Sequence, residues 1–299
     1  MKENIIFTEW TRNKRHLSDL KQLKRDILHN FQEHNALNKK IISMLSGGKD
    51  SSTALALAKD LGLNVVLAVH FVHKWSWSLS KEQARRIANE FEVPIVFCDI
   101  TEDLKKRTNG AKGGSICRIC KNIMKDKIIK LSKEKGVPII LTGDTALEKI
   151  SGPIIQYLRK IYNEEKFEKM ELTPVPKRYG TLFFRPLIRC GHEDVIKLKN
   201  YYGINIERIH EVGDKFGYWR EGCSLQYCDY STKITEELLD KLYLYNKEIT
   251  DLARRDGRFR ASIKLPSKEL LVAPVENVKD ITHREKEEFI RKLKNILNW

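Results

Sequence analysis

The stretch Ser46-Gly47-Gly48-Lys49-Asp50-Ser51-Ser52 decides the fold, because it stands where a strand should turn into a helix. Lys40-Ile41-Ile42-Ser43-Met44-Leu45 precedes it, a short apolar run that reads as a buried strand. Thr53-Ala54-Leu55-Ala56-Leu57-Ala58-Lys59-Asp60 follows, rich in strong helix formers and closed by Gly62. Two glycines permit a tight turn and a close approach to a ligand, and the next amides point out of a helix N-terminus. Such a turn suits a phosphate-type anion. The spacing is not that of the Walker loop, and the three-glycine dinucleotide fingerprint is missing. The competing reading is a glycine-rich turn that binds nothing.

Working outward, strand-like and helix-like segments alternate from Ile41 onward. Val65–Val69, Pro94–Phe97, Pro138–Leu141 and Leu182–Phe184 read as strands. Ser80–Glu90 (with Ser80 as cap), Cys120–Lys135 and Glu193–Tyr202 read as helices. This alternation predicts an α/β fold with a doubly wound parallel sheet and ligands at the carboxyl ends of its strands. Before it, Leu17, Leu20, Leu23, Ile27 and Leu28 recur at helical spacing among Arg12, Lys14, Arg15, Lys21, Lys24 and Arg25. After about residue 215 a helix over 235–254, a hairpin of 259–264 with 269–273, and a closing helix over 280–297 predict a small α+β subdomain. The expected division is 1–39, 40–215 and 216–299.

The chain has 299 residues, no run near the 18 apolar residues of a membrane span, and no signal-peptide profile in Met1-Lys2-Glu3-Asn4. A soluble cytoplasmic protein without a membrane partner is expected. A net charge of +15 favours an acidic partner, nucleic acid first, over a uniformly solvated basic surface. Lys105-Lys106-Arg107, Lys177-Arg178 and Arg254-Arg255 are candidates to track a phosphate backbone. Trp75 and Trp77 could stack on a base or pack in the core.

Six cysteines in a cytosolic chain read as ligands or catalysts before disulfides. Cys98 and Cys190 stand alone, and Cys98 reads as a small buried hydrophobe. Cys117/Cys120 and Cys223/Cys228 are paired. The first pair opens a helix after Asn109-Gly110-Ala111-Lys112-Gly113-Gly114, a setting expected to lower thiol pKa values. Lys121 and Lys125 lie on the same helix. A Zn²⁺ site, a metal-free redox or persulfide pair, and a cluster all remain open on these residues. The 102 residues between Cys120 and Cys223 are far more than a zinc ribbon has.

Ser-Gly-Gly-Lys-Asp-Ser resembles the signature of the PP-loop ATP pyrophosphatases, and the whole arrangement is similar to the 2-thiocytidine and 2-thiouridine tRNA synthetases. That resemblance covers about residues 15–230. It implies ATP cleavage between the α- and β-phosphates, with the β- and γ-phosphates on the amides of Gly48–Ser51 and the Ser46 and Ser51 hydroxyls, Gly47 shaping the turn. Lys49 would neutralise phosphate and Asp50 would hold Mg²⁺. Leu141-Thr142-Gly143-Asp144 is similar to a Thr-Gly-His element, with Asp144 in place of the histidine; a turn in which Asp144 caps the next helix competes. Arg185-Pro186-Leu187 resembles the later Arg/Lys-Pro-Leu element. The resemblance further implies a 4Fe–4S cluster on Cys117, Cys120 and a third cysteine, Cys223 before Cys228 before Cys190. It makes Asp50, Lys49, Asp144 and Cys223 the residues of the reaction. The implied activity is adenylation of a tRNA base oxygen and its replacement by sulfur; a small-molecule acceptor, or ammonia as nucleophile, is the alternative, and a non-catalytic nucleotide- or metal-binding protein the more distant one. Implied partners are ATP, tRNA and a sulfur donor (sulfide, persulfide or a carrier protein), with a homodimer as one option.

Overall fold

The computed structural model describes residues 19–145, 177–178, 181–206, 223–274, 278 and 281–297. They fall into two compact units. The first takes in Met1–Phe71, Leu79–Cys98 and Asp126–Ile206; the second takes in Val72–Ser78, Asp99–Lys125 and Glu207–Trp299. The division differs from the linear boundaries read off the sequence, since two short segments of the α/β region group with the C-terminal part. The expected boundary near residue 215 lies outside the described residues, as do Arg12, Lys14, Arg15 and Leu17.

In the first unit, helix α1 (Leu20–Glu33) buries Leu20, Leu23, Ile27 and Phe31 at three- and four-residue steps. Asp19 caps it, accepting from the Gln22 amide at 2.7 Å. Phe31 meets Phe184 edge-on, with ring centroids 4.7 Å apart. Strands β1 (Ile41–Met44), β2 (Val65–Val72), β3 (Ile95–Asp99), β4 (Ile139–Leu141), β5 (Lys177–Arg178) and β6 (Thr181–Phe184) form one sheet in the order β3-β2-β1-β4-β6-β5. The β1–β2, β1–β4 and β4–β6 pairs are parallel, and β5 is an antiparallel edge. Ile41, Ile42, Ile139, Ile140 and Leu141 are fully buried, as expected of strands covered on both faces. Around them Val69, Ile128, Val137 and Phe183 build a core against which Cys98 packs. The sheet is the doubly wound one expected from the sequence.

Helix α2 (Lys49–Asp60) follows β1, and α3 (Ser78–Glu90) follows β2. Ser80 therefore lies inside the first turn of α3 and does not cap it; a Ser-x-Ser run leaves two possible starts, and the earlier one is taken. The first unit closes with a helix over His192–Tyr201, labelled α6 because two helices of the second unit precede it.

The second unit contains α4 (Thr101–Thr108) and the start of α5 (Ile116–Glu134). Its C-terminal part holds α7 (Glu236–Asp256), strands β7 (Phe259–Ile263) and β8 (Leu270–Pro274), and α8 (His283–Ile296). Thr235 caps α7, and Gly257 ends it with φ +76. The hairpin is antiparallel from Phe259↔Pro274 to Ile263↔Leu270. Buried Asn246 ties α7 to it, donating to the Ile263 carbonyl at 3.1 Å and accepting from the Ile263 amide at 2.9 Å. Phe259 stacks on Phe289 at 4.7 Å. Among the described residues no helix is long and apolar enough to cross a membrane.

Candidate functional site

The first candidate site sits where the sheet order reverses. From β1 the chain runs outward through β2 and β3, then returns to the other side of β1 as β4. The carboxyl ends of β1 and β4 thus flank the crevice in which ligands bind in such sheets. Register aligns them: Ser43 pairs with Leu141, and Leu141 with Phe184. The segments that continue these strands, Ser46–Gly48, Thr142–Asp144 and Arg185, therefore emerge side by side.

Glycine is required twice here. Gly47 has φ +74, and a Cβ there would fall 2.8 Å from the Ala84 amide nitrogen and 3.0 Å from Gln83 Cγ. A Cβ on Gly143 would fall 2.5 Å from Ser51 N, 2.6 Å from Ser51 Cα and 2.7 Å from Asp50 C. The end of β4 thus presses directly on the first turn of α2. Gly48 is the N-cap of α2 and brings no capping side chain, which leaves the leading amides without a side-chain acceptor.

Ser51 is 7% exposed and staples the turn. Its hydroxyl donates to the Gly48 carbonyl at 3.2 Å and accepts from the Ser46 amide at 3.1 Å. The Ser46 hydroxyl, 2.9 Å away, therefore donates to Ser51 and accepts from the Gly48 amide at 3.3 Å. Both hydroxyls, expected on phosphate, are here spent on the shape of the loop. Lys49 Nζ lies 2.8 and 3.0 Å from the two Asp50 carboxylate oxygens, so the expected phosphate and Mg²⁺ partners hold each other. The Thr142 hydroxyl donates to Asp144 at 3.1 Å. Arg185 is buried, not a surface arginine; burial disfavours its charge, Asp144 restores part of it, and its Nε has no partner. Sequence reading missed Gln83, a polar residue in a helix with nothing local to mark it. It is 4% exposed, packs on Gly47, and neither amide atom has a partner.

The second candidate site lies in the second unit. A 3₁₀ turn, Gly113–Ser115, leads into α5, whose Cys117 and Cys120 share one face. The Gly113 amide donates to the Thr232 carbonyl at 2.8 Å and the Gly114 amide to the Tyr230 carbonyl at 3.0 Å. A side chain on Gly113 would strike the Asp229 carbonyl, and one on Gly114 the Tyr230 ring. The glycine run is thus what lets the cysteine-bearing turn meet the 228–230 segment.

Cys117, Cys120 and Cys223 form an electrostatic group. Burial pushes the Cys120 thiol up to about 12, with Cys223 and Cys117 adding to it. Cys223 is pushed up to about 11, first by burial, with Cys117 also opposing its ionisation. The residue as a whole is exposed, and its backbone carbonyl accepts from the Gln226 amide at 3.2 Å. Cys117 is raised by burial alone. The expectation of thiols lowered by a helix N-terminus is therefore corrected: desolvation and mutual repulsion outweigh the dipole. Cys228 lines a cavity together with Cys117. It is 7% exposed, its sulfur would lie 2.6 Å from a Cβ on Gly113, and burial and Asp229 set its thiol near 11. Cys190 is fully buried in the first unit beside Asp194 and Arg189.

Three thiols are soft donors that suit a thiolate-ligated metal or an iron–sulfur cluster. Among the described residues no three His, Cys, Asp or Glu side chains close around a single ion. This cavity of about 390 Å³ opens between Cys117 and Cys228, lined also by Gly114, Gln226, Tyr230 and Lys264. Tyr230 is 80% exposed.

The turn after β2 supplies a residue the sequence did not single out. His73 Nε2 lies 3.9 Å from Cys223 Sγ. Its neighbour Trp75 is fully buried and donates its indole N–H to Asp240 at 2.8 Å, so Trp75 is a core anchor and no stacking platform for a base. Trp77 packs near Tyr243, with centroids 6.0 Å apart. Lys105, expected on a phosphate backbone, is bound to Glu236 at 2.7 Å. The side chains of Lys177 and Arg178 lie outside the described residues.

Comparison with known proteins agrees with the loop. A family model described as queuosine biosynthesis protein QueC matches residues 40–127. The chain is 56% identical over 297 residues to the uncharacterized protein MJ1016 of Methanocaldococcus jannaschii, covering 97% of each. It is 23% identical over 188 residues to the tRNA-cytidine(32) 2-sulfurtransferase of Agrobacterium fabrum, covering 59% of this chain and 58% of that one. Among solved structures, the U34-tRNA thiolase NcsA from Methanococcus maripaludis with its 4Fe–4S cluster superposes with a TM-score of 0.47 and 15% identity, covering 93% of this chain and 80% of that one. The chain belongs to one family with MJ1016, and it is a member of the PP-loop ATP pyrophosphatase superfamily that resembles the tRNA thiolases.

Proposed function

We propose that the protein is an ATP-dependent sulfurtransferase that adenylates a carbonyl oxygen of a tRNA base and replaces it with sulfur. The observation that carries the reading is the pairing, in one chain, of a loop braced by Gly47 and Gly143 with a three-thiol group. The β- and γ-phosphates of ATP sit on the amides that open α2, where the helix dipole and Lys49 stabilise the departing pyrophosphate. Asp50, once released from Lys49, would hold Mg²⁺, which would offset the phosphate charge. The base oxygen attacks the α-phosphorus, the bond to pyrophosphate breaks, and an O-adenylated base forms. Hydrosulfide from the sulfur donor then attacks the activated carbon. AMP leaves with the C–O electron pair, and one proton is released.

Cys117, Cys120 and Cys223 would hold a 4Fe–4S cluster, whose bound chemistry is to present sulfur. The cavity beside Cys117 would offer the base a stacking face on Tyr230, while Lys264 at its rim is paired with Glu269 at 2.6 Å. A second reading keeps the adenylation but uses a small-molecule acceptor; the match to a queuosine biosynthesis family over 40–127 favours it. Pyrophosphate release by oxygen-free protein with total tRNA, at rising salt, separates the two. tRNA-dependent, salt-sensitive release with appearance of a thionucleoside supports the proposal. Release indifferent to tRNA supports the small acceptor, and no release from either overturns both.

A further inference from the structure

The His73 ring has a partner at each nitrogen, the Trp75 amide at Nδ1 and Cys223 Sγ at Nε2. Its turn is pinned by the His73 amide on Ser76 Oγ at 2.9 Å, by the Ser76 amide on the His73 carbonyl at 2.8 Å, and by the Lys74 amide on Thr101 Oγ1 at 2.9 Å. Buried Trp75 and the Lys74–Asp240 pair at 2.8 Å anchor it to α7. Such rigidity is more than a surface turn needs, and it fixes one side chain against Cys223.

The tautomer follows from the partners. The Trp75 backbone N–H donates to His73 Nδ1 at 3.2 Å, so Nδ1 must present its lone pair. In the neutral ring the proton is then on Nε2, the atom facing Cys223 Sγ at 3.9 Å. A metal-bound histidine needs a free lone pair on the ligating nitrogen, and that nitrogen here carries the hydrogen. We infer that His73 is a positioning residue: it donates its Nε2–H to the Cys223 sulfur. Such a contact orients the sulfur and tunes whatever the three cysteines hold. Cys223 is thereby distinguished from Cys117 and Cys120 as the thiol that meets the His73 ring.

The inference rests on the reading of these thiols as a metal or cluster site, and the test keeps the two separable. Nitrogen-15 NMR of the His73 ring in metal-free protein is expected to show the Nε2–H tautomer, unchanged after loading with Co²⁺ as probe. A proton on Nδ1, or direct Co²⁺ broadening of Nε2 as a ligand, overturns it. Co²⁺ titration of folded variants supplies the second arm. His73→Gln, which keeps a donor of similar reach, should bind within about threefold of wild type, and His73→Leu about tenfold more weakly. Equal binding by both variants overturns the role. Wild-type protein that takes up neither Co²⁺ nor iron would remove the metal reading, while the ring nitrogens would still decide the N–H···S contact.

Discussion

Gly143→Ala tests whether the end of β4 acts on the phosphate loop. No positive φ attends this glycine, so the new methyl costs nothing in backbone preference and acts by contact alone. It would land 2.5–2.7 Å from three backbone atoms of Asp50 and Ser51, where ordinary contact begins at 3.4 Å. Backbone cannot rotate away as a lysine tip can, so the two segments must part by roughly 0.8 Å. Overpacking of this kind costs about 1–3 kcal/mol. At about 2–4 °C per kcal/mol for a chain of this size, melting should fall by several degrees. The functional loss should be larger, since a displacement near 1 Å in a positioning element can cost ~10²-fold in rate. Steady-state pyrophosphate release, read beside a thermal melt, is the assay. Full turnover with an unchanged melting temperature would refute the contact and remove the reason for grouping Thr142–Asp144 with the loop.

Further outcomes follow from the same geometry. Asp50→Asn should lower pyrophosphate release by ~10²-fold or more while melting moves by no more than a degree or two, because a part-exposed neighbour pair contributes little; a large stability loss would show a structural role instead. Burial holds the His73 ring near a pKa of about 4 against 6.5 unfolded. Between those values the unfolded chain binds the proton and the folded one does not, so stability is lost as pH drops through that window. Unfolding free energies from urea titrations of metal-free protein should then fall by up to roughly 3 kcal/mol more from pH 6.5 to 4 in wild type than in His73→Gln, and parallel curves would contradict the neutral ring. The Cys120 and Cys223 thiols, raised to about 12 and about 11, are protonated at pH 7. Calorimetry of Zn²⁺ uptake in several buffers should therefore show about three protons released, with Cys228→Ser unaffected and Cys223→Ser defective; the reverse order would make Cys228 the ligand. Tyr230→Ala should raise KM for tRNA between fivefold and a hundredfold, as expected from ~1–3 kcal/mol of base stacking, and leave iron content alone.

What the sequence disclosed was what local pattern encodes. The buried run before Ser46, the glycine pair and the alanine-rich helix specify strand, turn and helix without reference to anything distant. The leucine spacing of α1 and the Phe259–Ala273 hairpin are equally local. Thr142-Gly143 could be linked to the loop only through resemblance; the close packing behind it depends on the β1–β4 register, which no short window contains. Cys223 and Cys228 look equivalent in sequence and differ in what their backbones do. Cys223 caps a 3₁₀ turn through its backbone and leaves its sulfur near His73, whereas Cys228 follows that turn and bridges to Leu265, which directs its thiol under Gly113. The thiol pKa values went the other way from expectation because burial is non-local and the helix terminus is not. His73 and Gln83 carried no signal at all, since each acquires its meaning from one distant neighbour.

The two kinds of contact in the loop explain how it can be rigid and still accept a ligand. Its backbone is fixed by contacts that cannot yield cheaply: Gly47 against α3, Gly143 against α2, and the buried Ser51 hydroxyl on the Gly48 carbonyl. Its charged side chains are fixed by a contact that can. Lys49 and Asp50 are 30% and 16% exposed, and such a pair contributes about 1 kcal/mol or less. A triphosphate with Mg²⁺ offers each of them a more highly charged partner, so exchange is favourable and leaves the backbone where it was. The buried groups around the loop point the same way. The Gln83 amide and Arg185 Nε have no partners, and an unmet buried polar group costs roughly 1–3 kcal/mol. Two such deficits beside one turn place unmet hydrogen-bonding capacity where a ligand can use it. If the proposed reaction holds, the amides are preorganised for the charge that develops on pyrophosphate, and the ion pair is the placeholder that the nucleotide would displace.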